Sequence, residues 1–126
     1  MTLETAKQLK ELGWDKETRN KVAEFTDGSY GAYSGGTYKE LFPSPSLEEL
    51  LAVMPSYILV SKGNYIVSTK GRVTNEMFLH IKKGELYWAC YTDSYSNNLE
   101  GFIFSNEVFS EAAAMLWIKL RKEGIV

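Results

Sequence analysis

The side chains that could do chemistry in this sequence are few and far apart. His80 is the only histidine, so a Ser-His-Asp relay could be built only around it, and a site of several histidines cannot be built. Within a predicted strand, a half-buried structural role is the alternative for His80. Cys90 is the only cysteine, which excludes a disulfide within one chain, and its apolar surroundings are typical of a small core residue. No base is placed near Cys90 in the sequence.

The carboxylates and glycines show no spacing that fixes a site. Asp27, Asp93, Glu100 and the helix carboxylates could pair for acid-base work, but their pattern favours solvated surface groups. The glycines of residues 28–36 match neither a phosphate-binding loop nor a dinucleotide fingerprint. We therefore expect no catalytic residue, no metal site and no cofactor, and we predict that this chain is not an enzyme.

Composition is that of an ordinary globular domain. The 126 residues are 44% hydrophobic and 24% charged, which predicts a single domain over residues 1–126. A net charge of −2 supplies no basic footprint for duplex nucleic acid or for an anionic membrane. The longest apolar run covers only residues 112–118, and the first residues do not resemble a signal peptide, so we expect a cytoplasmic protein without a membrane span.

Three segments have the pattern of helices. Residues 3–12 carry apolar residues every third position and end at Gly13, after which a Schellman motif would fold Trp14 back on Leu9. Ser46 and Glu49 have the spacing of a capping box, and Pro55 ends that short helix.

The third helix, over residues 106–124, is the clearest. It has an apolar stripe that we expect to lie across a sheet. The stripe consists of Val108, Phe109, Ala112, Ala113, Leu116, Trp117 and Leu120. Met115 and Ile118 lie off the stripe, where either the first helix covers them or they form a self-association surface that would make a homodimer.

Strand patterns fill the middle of the chain. Residues 57–61 and 65–69 flank a three-residue turn, and residues 76–82 and 85–91 flank Lys83 and Gly84. A further strand is predicted at residues 102–104, and one begins near Lys21. Together these elements predict an α+β fold: a mainly antiparallel sheet of four to five strands, with the C-terminal helix packed on one face and the shorter N-terminal helices covering the rest.

Residues 26–37 are rich in glycine and tyrosine. They bury little, which predicts a long loop or an edge hairpin. The alternative is a contact surface, because tyrosine beside glycine and serine makes adaptable contacts at a modest entropic cost. The candidate partner contacts are Tyr30, Tyr33 and, just beyond the segment, Tyr38.

A second binding mode is single-stranded nucleic acid. Aromatic residues on the strands could stack unpaired bases, and lysines near the hairpin turns could meet phosphates. The candidate contacts are Tyr65, Tyr87, Lys62, Lys82 and Lys83.

The order of motifs also resembles a known group of proteins. A Pro-Ser-Pro-Ser run at residues 43–46 opens a short helix, hairpins follow, and Glu111 with three alanines leads into Leu116 and Trp117. This order is similar to small bacteriophage and mobile-element proteins, including those with a phage α-β-α sandwich domain. The resemblance covers residues 42–126 and implies no catalytic residues. We therefore expect a non-enzymatic accessory protein that binds another, unidentified protein.

Overall fold

A computed structural model describes residues 1–61, 64–66, 75–93 and 98–126, which form three helices and eight strands. The helices are α1 (Leu3–Glu11), α2 (Leu47–Val53) and α3 (Phe109–Lys122). The strands are β1 (Asn20–Glu24), β2 (Tyr30–Ala32), β3 (Glu40–Ser44), β4 (Tyr57–Ser61), β5 (Asn64–Ile66), β6 (Asn75–Lys83), β7 (Tyr87–Thr92) and β8 (Asn98–Asn106).

The strands form two antiparallel sheets. The first has the order β2-β1-β3, and the second has the order β5-β4-β6-β7-β8. α1 packs against β1, β3 and α3, whereas α3 packs against β7, β8 and α2. The layers therefore follow the order three-stranded sheet, α1, α3, five-stranded sheet. The predicted α+β class, with the C-terminal helix on one sheet face, is confirmed, and the separate three-stranded sheet adds to it.

α1 begins and ends where the sequence predicts. The hydroxyl of Thr2 accepts a hydrogen bond of 3.2 Å from the backbone N–H of Thr5 and so caps the first turn. At the other end Gly13 has a φ of +88°, which a residue with a Cβ adopts only under strain. The N–H of Trp14 then donates to the carbonyl of Leu9 at 2.9 Å, which completes a Schellman motif.

α2 is bounded by its capping box and by a proline. The Ser46 hydroxyl accepts from the Glu49 N–H at 3.2 Å, and the Glu49 carboxylate accepts from the Ser46 N–H at 2.9 Å. Met54 is extended, with φ −92° and ψ 139°, because the residue before a proline is driven out of the helical region. Both predicted boundaries are confirmed.

The main core gathers around α3. Ala112, Ala113 and Ala114 are fully buried, and their small side chains allow the helix to lie close to its neighbours. Ile118 is only 7% exposed and belongs to the same cluster as Leu9 of α1, so it is covered within the chain. None of the helices in the described ranges is long and apolar enough to span a membrane.

Three predicted boundaries are wrong. Lys83 pairs with Tyr87, so the β6–β7 turn spans residues 84–86 rather than Lys83 and Gly84. Asn64 pairs with Ser61 and belongs to β5 rather than to the turn. The part of the predicted strand beyond Ile66 lies outside the described residues.

The third correction concerns α3, which starts at Phe109 because β8 continues through Asn106. Val108, predicted to lie in the buried stripe, is the N-cap and is 49% exposed.

Candidate functional site

His80 and Cys90 are neighbours across two strands. They are directly paired between β6 and β7, so both side chains project from the same sheet face. His80 is exposed, whereas Cys90 is buried, and no hydrogen bond joins them among the described contacts. Burial raises the pKa of the Cys90 thiol, and the nearby Lys82 ammonium offsets this only in part. A nucleophilic cysteine needs an accessible thiolate, and this arrangement favours the buried thiol.

The acidic side chains near the tyrosine-rich segment are engaged locally. Hydrogen bonds from the hydroxyl and then from the N–H of Ser29 hold the pKa of Asp27 below its ordinary value. A hydrogen bond of 2.8 Å from Lys10 likewise lowers the pKa of Glu40. Both carboxylates stay charged near neutrality, which suits turn and helix anchoring rather than proton transfer. Within the described ranges, no group of three histidine, cysteine or acidic side chains is placed to hold a metal ion.

Glu111, in the first turn of α3, is a buried carboxylate that sequence reasoning treated as a surface group. It is 5% exposed and accepts hydrogen bonds from the N–H of Thr2 at 3.2 Å and from the hydroxyl of Thr2 at 3.0 Å. The hydroxyl of Thr5 also donates to it. These bonds tie the start of α1 to the start of α3. The three alanines that follow Glu111 could have indicated its burial, because a run of such small side chains indicates a helix that packs closely on all sides.

The predicted partner contacts lie on and beside β2, at one edge of the three-stranded sheet. Tyr30 is 59% exposed and Tyr38 is 45% exposed, the largest exposures among the aromatic residues that the structure describes. Tyr33 meets Tyr38 in an edge-to-face contact, with ring centroids 5.4 Å apart, and its hydroxyl donates to the carbonyl of Gly36 at 3.3 Å. The structure therefore forms the predicted edge hairpin and brings two of the three tyrosines together. We call Tyr30, Tyr33 and Tyr38 the tyrosine edge.

The backbone of this edge is open on its outer side. The N–H of Phe25 donates to the carbonyl of Ser29 at 2.8 Å, and the N–H of Tyr33 donates to the carbonyl of Lys21 at 2.9 Å. These two bonds show which residue pairs of the β1–β2 ladder are hydrogen-bonded, and such pairs alternate along the strands with pairs that are not. By that alternation, the N–H and C=O groups of Tyr30 and Ala32 point away from β1. No described residue bonds to them.

The five-stranded sheet has a face turned away from α3, which we call the outer aromatic face. Its rings are Tyr57, Phe78 and Trp88, accompanied by His80 and Lys82. Phe78 is 38% exposed and Trp88 is 36% exposed, and the rings of Tyr57 and Phe78 lie 6.4 Å apart.

The predicted nucleic-acid contacts are not all on that face. Lys82 lies on it, opposite Trp88, whereas Tyr87 and Lys83 pair with each other on the α3 side. The ring of Tyr87 packs on Phe109, with centroids 3.9 Å apart. Lys62 and the side chain of Tyr65 lie outside the described part of the chain.

Comparisons of the chain with protein-family models, with curated proteins and with solved structures found no match. The phage resemblance therefore stays a prediction.

Proposed function

We propose that this chain is a non-enzymatic accessory protein of a bacteriophage or mobile element, and that it binds another protein through the tyrosine edge. The sequence resemblance alone suggests the phage setting. The binding role is supported by Tyr30, a residue that is 59% exposed on the edge strand β2. Aromatic side chains in such positions are the usual anchors of protein interfaces.

The edge strand also suggests how the partner binds. The exposed N–H and C=O groups of Tyr30 and Ala32 can pair with an extended segment of the partner, which would add a fourth strand to the sheet. Edge strands that avoid such pairing carry charges, prolines or bulges, and Pro43 and Glu40 provide such protection on β3. β2 reads Tyr-Gly-Ala and has none of them.

Gly31 lies between those two residues and leaves a gap on the sheet surface. A Cβ atom built there would meet nothing within 4 Å. A large side chain on the partner strand can fill this gap, as aromatic residues do opposite glycines in sheets.

The test is quantitative affinity capture from the native host with four folded forms of the chain. We expect the wild type to recover a partner whose binding falls at least about tenfold with Tyr30→Ala, since an interface anchor contributes about 2 kcal/mol. Val108→Ala, which trims another exposed apolar side chain, is the matched control and should leave recovery unchanged.

Ala32→Pro tests the strand-pairing mode, because it removes an outward N–H without breaking a bond to β1. Loss with Tyr30→Ala but not with Ala32→Pro would retain the surface and discard strand addition. Equal recovery of every protein by all four forms would refute the proposal.

A second candidate is single-stranded nucleic acid on the outer aromatic face. Phe78 and Trp88 share this face on adjacent central strands, about 13 Å apart along the strand direction at 3.3 Å per residue, with Lys82 beside Trp88. Such rings stack bases, and a lysine adds a phosphate contact.

An anisotropy titration with labelled oligothymidine tests this candidate. Trp88→Ala should weaken binding about tenfold, and Lys82→Gln should reduce the salt slope by about 0.7. Lys122→Gln, on α3, is the charge-matched control. No binding at low salt would remove this candidate.

A further inference from the structure

A cleft opens where the turn after α1, the end of α2 and the last turn of α3 meet. Its volume is about 460 Å³, which falls in the range of small-molecule sites. Its lining includes Met54 and Trp117, which are 6% and 5% exposed, together with Trp14 and Pro55. The lining of the cleft combines these apolar side chains with polar groups in nearly equal measure.

The rings of Trp14 and Trp117 in this cleft are held in place by contacts within the chain. The rings of Trp14 and Trp117 meet edge to face, with centroids 5.2 Å apart and an interplanar angle of 70°. The indole N–H of Trp14 donates to the carbonyl of Lys16 at 2.9 Å, which fixes the ring. A flat apolar group can enter beside these rings without reorganising them.

Arg121 stands at the rim of this cleft and is anchored on one side. Its Nε–H donates to the carbonyl of Leu12 at 2.8 Å, and its guanidinium carbon lies 5.8 Å from the Trp117 ring centroid. Gly13 makes room for the guanidinium, since a Cβ atom there would lie 3.1 Å from Nη2. Among the described residues, no acceptor bonds to its two Nη groups and no carboxylate lies within 4.0 Å of it.

Lys16 adds a second cation that has no described ionic partner, and Asp15 is the acidic side chain of the lining. A guanidinium that is fixed through Nε presents its remaining N–H groups to a planar anion, and carboxylate matches that geometry. We propose that this cleft is a binding site for a small organic anion that joins a flat apolar body to a carboxylate. The body lies against Trp14 and Trp117, and the carboxylate lies on Arg121.

Two-dimensional NMR of the three indole N–H groups tests the site with 2-naphthoate as the probe. The chain has three tryptophans, and Trp88→Phe identifies the signal of the one outside the cleft. We expect saturable shifts of the Trp14 and Trp117 signals with a Kd near or below about 1 mM, while the Trp88 signal stays in place.

The charge requirement is tested in two ways. Neutral 2-naphthamide should bind the wild type at least about threefold more weakly, because it lacks the negative charge that pairs with the exposed guanidinium of Arg121. Arg121→Gln should weaken naphthoate binding by a similar factor, whereas Lys122→Gln, which removes the adjacent positive charge outside the cleft, should change it less than twofold.

The naphthamide comparison uses the unaltered protein, so it decides the question even where Arg121→Gln disturbs the fold. Absence of a saturable shift of the Trp14 and Trp117 signals, or equal affinity for the amide and the carboxylate, would overturn the site.

Discussion

Replacing Glu111 with alanine should destabilise the fold more than any change to a surface carboxylate. Three donors from Thr2 and Thr5 converge on this 5%-exposed side chain. Each hydrogen bond to a charged group contributes about 1.5–3 kcal/mol, or about 4.5–9 kcal/mol in all, and the loss of carboxylate hydration offsets several kcal/mol. We therefore expect Glu111→Ala to lower the free energy of unfolding by about 2–4 kcal/mol, which lowers Tm by about 10 °C in a chain of this size.

Urea unfolding followed by far-UV circular dichroism measures the loss. Glu107→Ala is the matched control, because Glu107 lies four residues earlier and is exposed, so its removal should change stability by less than about 0.5 kcal/mol. The double variant Thr5→Val, Glu111→Leu should recover part of the loss, since two apolar side chains leave no buried hydroxyl without a partner. Equal midpoints for Glu111→Ala and Glu107→Ala would show that the buried carboxylate does not hold α1 to α3.

Four further predictions concern Gly13, Tyr91 and Cys90, whose positions are fixed by backbone conformation or by burial. Gly13→Ala should cost about 1–2 kcal/mol in thermal or urea unfolding because of the positive φ, whereas Gly31→Ala, where φ is not positive and space is open, should cost less than about 0.5 kcal/mol. Tyr91→Phe should cost about 1–2 kcal/mol, because it leaves the carbonyl of Pro55 without its 2.7 Å bond. Burial also raises the pKa of Tyr91, so the native state favours the neutral phenol. The wild type should therefore lose stability as the pH rises above about 10, more steeply than Tyr91→Phe. Cys90 should react with a thiol reagent at pH 8 far more slowly in the native protein than in urea; equal rates would contradict its burial.

Local signals in the sequence predicted the helices well, since each helix end is set by a few adjacent residues. The cap at Thr2, which the sequence pattern did not specify, adds to the predicted glycine end at Gly13. The capping box at Ser46 and the helix end before Pro55 are likewise set by adjacent residues. These features depend on backbone hydrogen bonds within one turn, so no tertiary contact is needed to specify them.

Strand boundaries were harder to predict, because they depend on pairing between distant segments. The β6–β7 turn is displaced to residues 84–86 because Lys83 pairs with Tyr87, and no local pattern distinguishes that register from its neighbours. The start of α3 was predicted too early for the same reason. Pairing with β7 keeps Asn106 in β8, so the helix begins at Phe109. The burial of Glu111 likewise depends on where α1 packs, which lies more than a hundred residues away in the chain.

The layer order explains why the candidate surfaces lie where they do. α1 and α3 lie between the two sheets, so their apolar faces pack within the core. These helices therefore expose few aromatic rings. Three of the exposed rings lie on strands, with Tyr30 at one sheet edge and Phe78 and Trp88 on the outer aromatic face, and Tyr38 lies in the loop between β2 and β3. His80 also lies on that face, opposite the buried thiol of Cys90. The exposed rings of Tyr30, Tyr38, Phe78 and Trp88 are therefore the observations that support our proposal of a binding role.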